Sequence, residues 1–423
     1  MKNFLKYLFI IMAFMGMFIV FFKQDILVDL TTGVLKSAKH DDERQCKIWS
    51  GGFPGIIDTM DNIGTTKVLM VHGITKHLPG YSTILMENLA KLLDLDVMSQ
   101  EPKDLVVSSE FAKRKNLGNL RLTKLTNRAK TKELLFYELT WSNLTDEEKE
   151  VLSYDRSEIY SSQRTQISNV VKSAVNDAFA DPMIYLGELQ VDILSSVTEA
   201  FCWMVTTKWD TFPDESTAMC GKTLTDETIE RVKDDNFFFI THSLGSRITI
   251  DALQRIATLV DDDEIMERYP MLAKLHKTYQ TKEIMVYMLA NQLQLLQLGR
   301  TLPDIVNKDN QYCKATGDKY DHRFVNSTNI IAFSDPNDIL SYGIPYRYKA
   351  KYLDSRLCSK INNININVAN VISILGLGRI ANPVDAHRGY EADIRVLSLI
   401  AFGLHDSNKL IKEKCDWILT TDD

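Results

Sequence analysis

A serine hydroxyl attacks a carbonyl only when a neighbouring base removes its proton and a carboxylate steadies that base. The chain offers a starting point for such a set in Phe237-Phe238-Phe239-Ile240-Thr241-His242-Ser243-Leu244-Gly245-Ser246. The unbroken apolar run reads as a buried strand, and a helix is expected to begin near Leu244. A serine at that junction occupies a tight, strained turn that lifts its hydroxyl out of the sheet. The backbone N–H groups that follow, and the helix dipole, then face any anion formed there. Ser243 is therefore the candidate nucleophile. Downstream, the apolar run 330–333 leads into Ser334-Asp335-Pro336-Asn337-Asp338, which holds two candidate carboxylates, Asp335 and Asp338. Both could equally cap a turn. Of eight histidines, His387 alone lies in a turn-rich loop, 382–390, between the last expected strand and the last expected helix. It is the candidate base, with His405, beyond that helix, as the second choice.

Thr241-His242-Ser243-Leu244-Gly245 resembles the GxSxG elbow of the α/β-hydrolase superfamily, its lipases and esterases in particular. Thr241 departs from the pattern by standing where the first glycine belongs, which tightens the turn. His72-Gly73-Ile74, directly after the apolar run 68–71, is similar to the HG pair that follows the third strand of those lipases. The resemblance implies an oxyanion hole made by the backbone N–H groups of Ile74 and Leu244, with Gly73 as the alternative to Ile74. It gives His72 no proton-transfer role. Asp338, followed by Ile339 and Leu340, resembles the family's acid, with Asp335 as the alternative. The order Ser243, Asp338, His387 is also the family's order, at spacings of 95 and 49 residues. The activity implied by the resemblance is that of a serine hydrolase cleaving a carboxylic ester, lipid esters included, with no metal and no organic cofactor. Acyl transfer to another alcohol would use the same acyl-enzyme. A catalytically silent hydrolase-fold protein that binds a partner is the reading from a different class.

The elements that must position these residues alternate in the manner of an α/β chain. Strands are expected at 68–71, 134–141, 237–240, 284–289, 330–333 and 363–368. A further strand at 121–125 pairs with 134–141 as a hairpin, and helices carry Leu85, Leu89 and Leu92 near one end and residues 390–403 near the other. The expected fold class is α/β, an α/β-hydrolase fold with a mostly parallel central sheet, helices on both faces and an inserted helical cap. The domain boundaries expected are an anchor at 1–25, a linker at 26–66 and a hydrolase domain at 67–423. The cap is placed at about 101–235, helical from 146 to 205, broken at Pro182, and lined by Val170, Val171, Ala174, Ile184, Tyr185 and Leu186. Ala290-Asn291-Gln292-Leu293 is similar to a pocket-wall segment of bacterial lipase-like hydrolases. Eight basic residues between Lys113 and Lys132, with Leu117, Leu120, Leu122 and Leu125 between them, read as a solvated hairpin.

The 423 residues carry 49 Lys plus Arg against 56 Asp plus Glu, a net charge of -7, so no overall field draws the chain to nucleic acid. Residues 7–22 form an apolar run without small residues at its end, which reads as an uncleaved membrane anchor more readily than as a cleaved signal peptide. The body is then expected outside the cytoplasm. Six cysteines, none in a metal-type spacing, agree with disulfides formed there, with buried free thiols in a large domain as the alternative. Alkaline carbonate should accordingly leave the full-length protein in the membrane fraction. Release into the supernatant, or a mature chain beginning after residue 22, would contradict the anchor.

Overall fold

In parallel sheets with helices on both faces, strands are buried on both sides and read as continuous apolar runs. Such runs build the centre of this protein. The computed structural model describes residues 44–60, 63–97, 101–214, 217–374 and 378–418. The expected anchor lies outside them. Among the described residues, no helix is long and apolar enough to cross a membrane.

The strands are β1 (Cys46–Trp49), β2 (Thr66–Val71), β3 (Asp96–Val97), β4 (Lys103–Val107), β5 (Asn119–Thr126), β6 (Glu133–Thr140) and β7 (Thr217–Ala218). They continue with β8 (Asn236–His242), β9 (Glu283–Leu289), β10 (Ser327–Ser334), β11 (Ser359–Ile366), β12 (Val371–Ile374), β13 (Gly378–Ala381) and β14 (Asp416–Ile418). One mixed sheet runs β14-β1-β11-β10-β9-β8-β2-β6-β5-β4-β7, with β3 paired to β5, while β12 and β13 form a separate hairpin. From β11 through β10, β9, β8 and β2 to β6 every neighbour is parallel. The register sets Val71 beside Thr241, His242 beside Leu289, and Leu289 beside Phe333. The segments that leave β2, β8, β9 and β10 therefore start at one edge of the sheet.

Alternation along the strands divides the interior in two. Leu69, Val71, Phe237 and Phe239 face a core that includes buried residues of helices α1 (Gln190–Thr206) and α2 (Leu244–Val260). Val68, Met70, Phe238 and Ile240 face the other core, closed by Leu85 and Leu89 of helix 83–92 and by helix α3 (Ile394–Phe402). Helix α3 is thus shorter than the expected 390–403, with a separate 3-10 turn at Gly389–Glu391, and it is not the last, since Lys409–Lys414 forms a further helix.

The stretch 101–235 is not a cap throughout. Three of its strands, β4, β5 and β6, extend the sheet as antiparallel neighbours, and β6 continues onto β2 in parallel. Leu117, Leu120 and Leu122 are fully buried and Leu125 nearly so, so they serve the core while the interleaved basic side chains face outward or lie half-buried. Helix α1 belongs to the core as well. Outside the sheet, besides the stretch after α1 with its short helix Asp226–Val232, lies the helical segment 143–189. Its helix does not break at Pro182. Residues 166–174 pass through a π turn at Val175–Phe179 into helix Ala180–Tyr185, which contains the proline. The wide turn lies where the ring would otherwise crowd the carbonyl four residues back. Of the expected lining, Tyr185 is fully buried with its hydroxyl on Asp251 of α2, so it fastens the segment down, while Leu186 is exposed. The side chains of Val170 and Ala174 lie outside the described part of the structure.

All six cysteines are paired, as Cys46–Cys415, Cys202–Cys220 and Cys313–Cys358. Cys46–Cys415 joins β1 to the residue that precedes β14 across a separation of 369. Closing so long a loop restricts the unfolded chain strongly. Replacing both Cys46 and Cys415 by Ala should cost about 2–5 kcal/mol, read as a lower urea midpoint, with the protein still folded in the absence of denaturant.

Candidate active site

The junction of β8 and α2 puts Ser243 in a backbone conformation that serine rarely adopts, with φ 54° and ψ -123°. Its neighbours make room for that turn. A Cβ on Gly73 would lie 2.6 Å from the Ser243 Cβ, and one on Gly245 would lie 2.4 Å from the carbonyl oxygen of Val71. The Ser243 N–H donates to the Leu289 carbonyl at 2.8 Å. Thr241 is accommodated because its hydroxyl donates to the Tyr287 carbonyl (3.3 Å) and pairs with Ser246 Oγ (3.1 Å).

The three expected residues converge. His387 Nε2 lies 3.1 Å from Ser243 Oγ, and His387 Nδ1 lies 2.9 Å from Asp338 Oδ2. Asp338 is aimed by its other oxygen, which accepts the Leu340 N–H at 2.9 Å. Asp335 has a different task. Its carboxylate accepts the N–H groups of Asn337 (2.8 Å), Val368 (2.7 Å) and Ala369 (3.1 Å), tying the end of β10 to the turn after β11. His405 is far from this group, with its ring on Ser407 and near Asp58. Ser243 is 0% exposed, Asp338 4% and His387 5%, so the set is closed to solvent.

Leu244 opens helix α2, where the first N–H groups have no intrahelical acceptor. Ile74 is half-buried and packs against the same core. The loop carrying Gly73 and Ile74 is shaped by His72. His72 Nε2 accepts the Trp141 N–H at 3.1 Å, so Nδ1 carries the hydrogen and donates it to the Gly73 carbonyl at 2.8 Å. Burial, with a smaller contribution from His77, holds the His72 pKa well below the usual histidine range, so the ring remains a neutral bridge. On the far side of the loop, Thr75 has φ 79°, and its N–H donates to Asp181 Oδ2 at 2.7 Å, while Asp181 Oδ1 meets Lys149 Nζ at 2.6 Å. Asp181 and Lys149 belong to the helical segment 143–189.

Two further contacts reach the centre without a sequence signal that assigns them. His242 Nε2 donates to the His387 carbonyl at 2.8 Å. Desolvation, assisted by the neighbouring His387, lowers its pKa to about 3, which keeps it neutral. Gln292 Nε2 donates to Ser243 Oγ at 2.8 Å. Its segment, 290–293, is the expected pocket wall, but no spacing in the sequence shows that this side chain meets the serine. A serine hydroxyl hydrogen-bonded to an imidazole, and that imidazole to a carboxylate, is an arrangement that can activate the hydroxyl for acyl transfer. No family model, curated protein or solved structure matches the chain.

His387 lies on a short helix, Pro383–Arg388, rather than in the expected loop, and Glu391, in the 3-10 turn that follows it, makes stability depend on pH. Desolvation raises its pKa from 4.5 to about 7, with Glu138 adding to the rise and Arg388 opposing it. A carboxyl whose folded pKa is raised binds its proton more tightly in the folded state, so stability is lost as pH climbs from about 4.5 through 7. Glu391→Gln should therefore stabilise the protein at pH 8 by about 1–3 kcal/mol and leave it unchanged near pH 4. Melting curves at the two pH values are the measurement. An equal effect at both would rule out ionisation as the cause.

Proposed function

We propose that the chain is a serine hydrolase of the α/β-hydrolase type that cleaves carboxylic esters, lipid esters included. The observation that carries this reading is the unbroken line from Ser243 Oγ through His387 to Asp338, at 3.1 and 2.9 Å, built on a serine with positive φ at a strand-to-helix turn. His387 takes the serine proton as Oγ bonds to the acyl carbon, and Asp338 stabilises the imidazolium that results. The N–H groups of Leu244 and of Ile74 or Gly73 stabilise the tetrahedral oxyanion, each by a few kcal/mol in such sites. His387 then gives the proton to the departing alcohol, and water repeats the sequence to free the acid. A second alcohol in place of water would make the same centre an acyltransferase. The three disulfides support a body on the oxidising side of the membrane to which residues 7–22 would tether it.

One observation favours the second reading, a hydrolase-fold protein that binds a partner and does no chemistry. Ser243 has no exposed surface, so the arrangement described does not admit substrate. Covalent labelling separates the two readings. A fluorophosphonate should modify wild type at Ser243, and Ser243→Ala, His387→Ala or Asp338→Ala should each lower ester turnover by about 1000-fold or more, with double variants adding little. Asp335→Ala, by contrast, should act on stability, since its carboxylate holds backbone and not imidazole. Refusal of the label by folded wild type would leave the binding reading in its place.

A further inference from the structure

The side chain that meets the nucleophile opposite His387 is held with unusual care. Gln292 is 2% exposed, and its amide reaches Ser243 Oγ at 2.8 Å. The chain arrives there through Ala290, a non-glycine residue with φ 54° at the end of β9. Fully buried Asn291 secures the bend. Its Oδ1 accepts the Leu293 N–H (3.1 Å), its Nδ2 donates to the Tyr342 carbonyl (2.7 Å), and its own carbonyl accepts the Tyr342 N–H (3.0 Å). A strained backbone persists only where its surroundings over-determine it, and strain of this kind collects at functional sites. Here the strained bend delivers one donor to one oxygen.

We propose that Gln292 is a catalytic donor that acts on one half of the reaction, the release of the acyl group from Ser243. The inference rests on the serine-hydrolase reading above. In acylation Oγ is the nucleophile, and an N–H bound to its lone pair makes that pair no more available. In deacylation the same oxygen is the leaving group. Water gives a proton to His387 Nε2 as its oxygen bonds to the acyl carbon. The tetrahedral intermediate then collapses, the C–Oγ bond breaks with its electron pair passing to Oγ, and His387 returns the proton to Oγ. An N–H already aimed at Oγ stabilises the charge that gathers there as the bond breaks, and Gln292 itself exchanges no proton. The donor thus favours departure over attack.

The test separates the two halves in Gln292→Met, which keeps the volume and removes the donor. An activated nitrophenyl ester loads Ser243, and the decay of the acyl-enzyme is followed by intact mass, while fluorophosphonate labelling reports attack alone. The expected result is decay about 10-fold slower than wild type, with acyl-enzyme accumulating during turnover and labelling unchanged within about threefold. Gln292→Asn, which keeps an amide but withdraws it by one methylene, should show the same split and serves if the Met variant folds poorly. Unchanged decay would overturn the proposal. So would a parallel fall in labelling and decay, which would make Gln292 a support of the pocket. If wild type itself takes no label, the hydrolase reading fails first and this inference with it.

Discussion

The left-handed backbone at Ser243 is the constraint on which the rest of the site depends. A non-glycine residue in such a conformation costs about 1–3 kcal/mol and needs neighbours that permit no other. Here the neighbours are backbone. The Leu289 carbonyl holds the Ser243 N–H, and the glycines at 73 and 245 let the β2 loop and helix α2 approach to distances that any Cβ would forbid. All of this requires β2, β8 and β9 to keep their register, with Val71 opposite Thr241 and His242 opposite Leu289. A slip of one residue would turn Phe237 and Phe239 to the wrong core and carry Gly73 away from the serine. The apolar strands and the elbow are in this sense one structure.

That dependence explains which features the sequence discloses. The central strands are apolar on both faces, so 237–240, 284–289 and 330–333 declare themselves without knowledge of their partners. Strands β1 and β14, Cys-Lys-Ile-Trp and Asp-Trp-Ile, do not, because each is ordered by a partner far away in the chain. The hairpin of β5 and β6 is legible, yet the strands before and after it in the chain, β4 and β7, merge into an expected cap because nothing local separates an inserted layer from an extended sheet. Ser243, Asp338 and His387 can be named from order and setting. Choosing Asp338 over Asp335 on physical grounds needs the N–H groups of Val368 and Ala369, more than thirty residues on, which occupy the Asp335 carboxylate. The contacts of His242 and Gln292 follow from packing alone, and no spacing rule contains them.

Buried charge fixes the surroundings. Lys67 and Asp235, both fully buried, meet at 2.8 Å at the starts of β2 and β8, and the Lys67 ammonium also donates to the Thr207 carbonyl. Burial lowers the Lys67 pKa to about 8, with Asp235 opposing the fall. Near Ser243, Arg247 sits one helical turn further along α2 and forms a bidentate pair with Asp251, which also receives Arg300 and the Tyr185 hydroxyl. Such groups add little net stability over well-packed apolar residues, but removing one partner leaves an uncompensated charge at a cost of about 3–5 kcal/mol. They fix which groups α2, the 295–300 loop and the 180–185 helix must present to one another.

The contact between Asp181 and the Thr75 N–H joins the helical segment 143–189 to the loop that carries Gly73 and Ile74. Ser243 is covered, so the proposed hydrolysis would require part of its surroundings to move, and a movement of the 180–185 helix would strip Thr75 of its acceptor. The two events then share a free energy. By linkage, whatever tightens the loop around an oxyanion favours the segment's present position, and whatever draws the segment away weakens the loop by the same factor. Were that segment part of what must move for a substrate to enter, access and the shape of the Gly73–Thr75 loop would oppose each other.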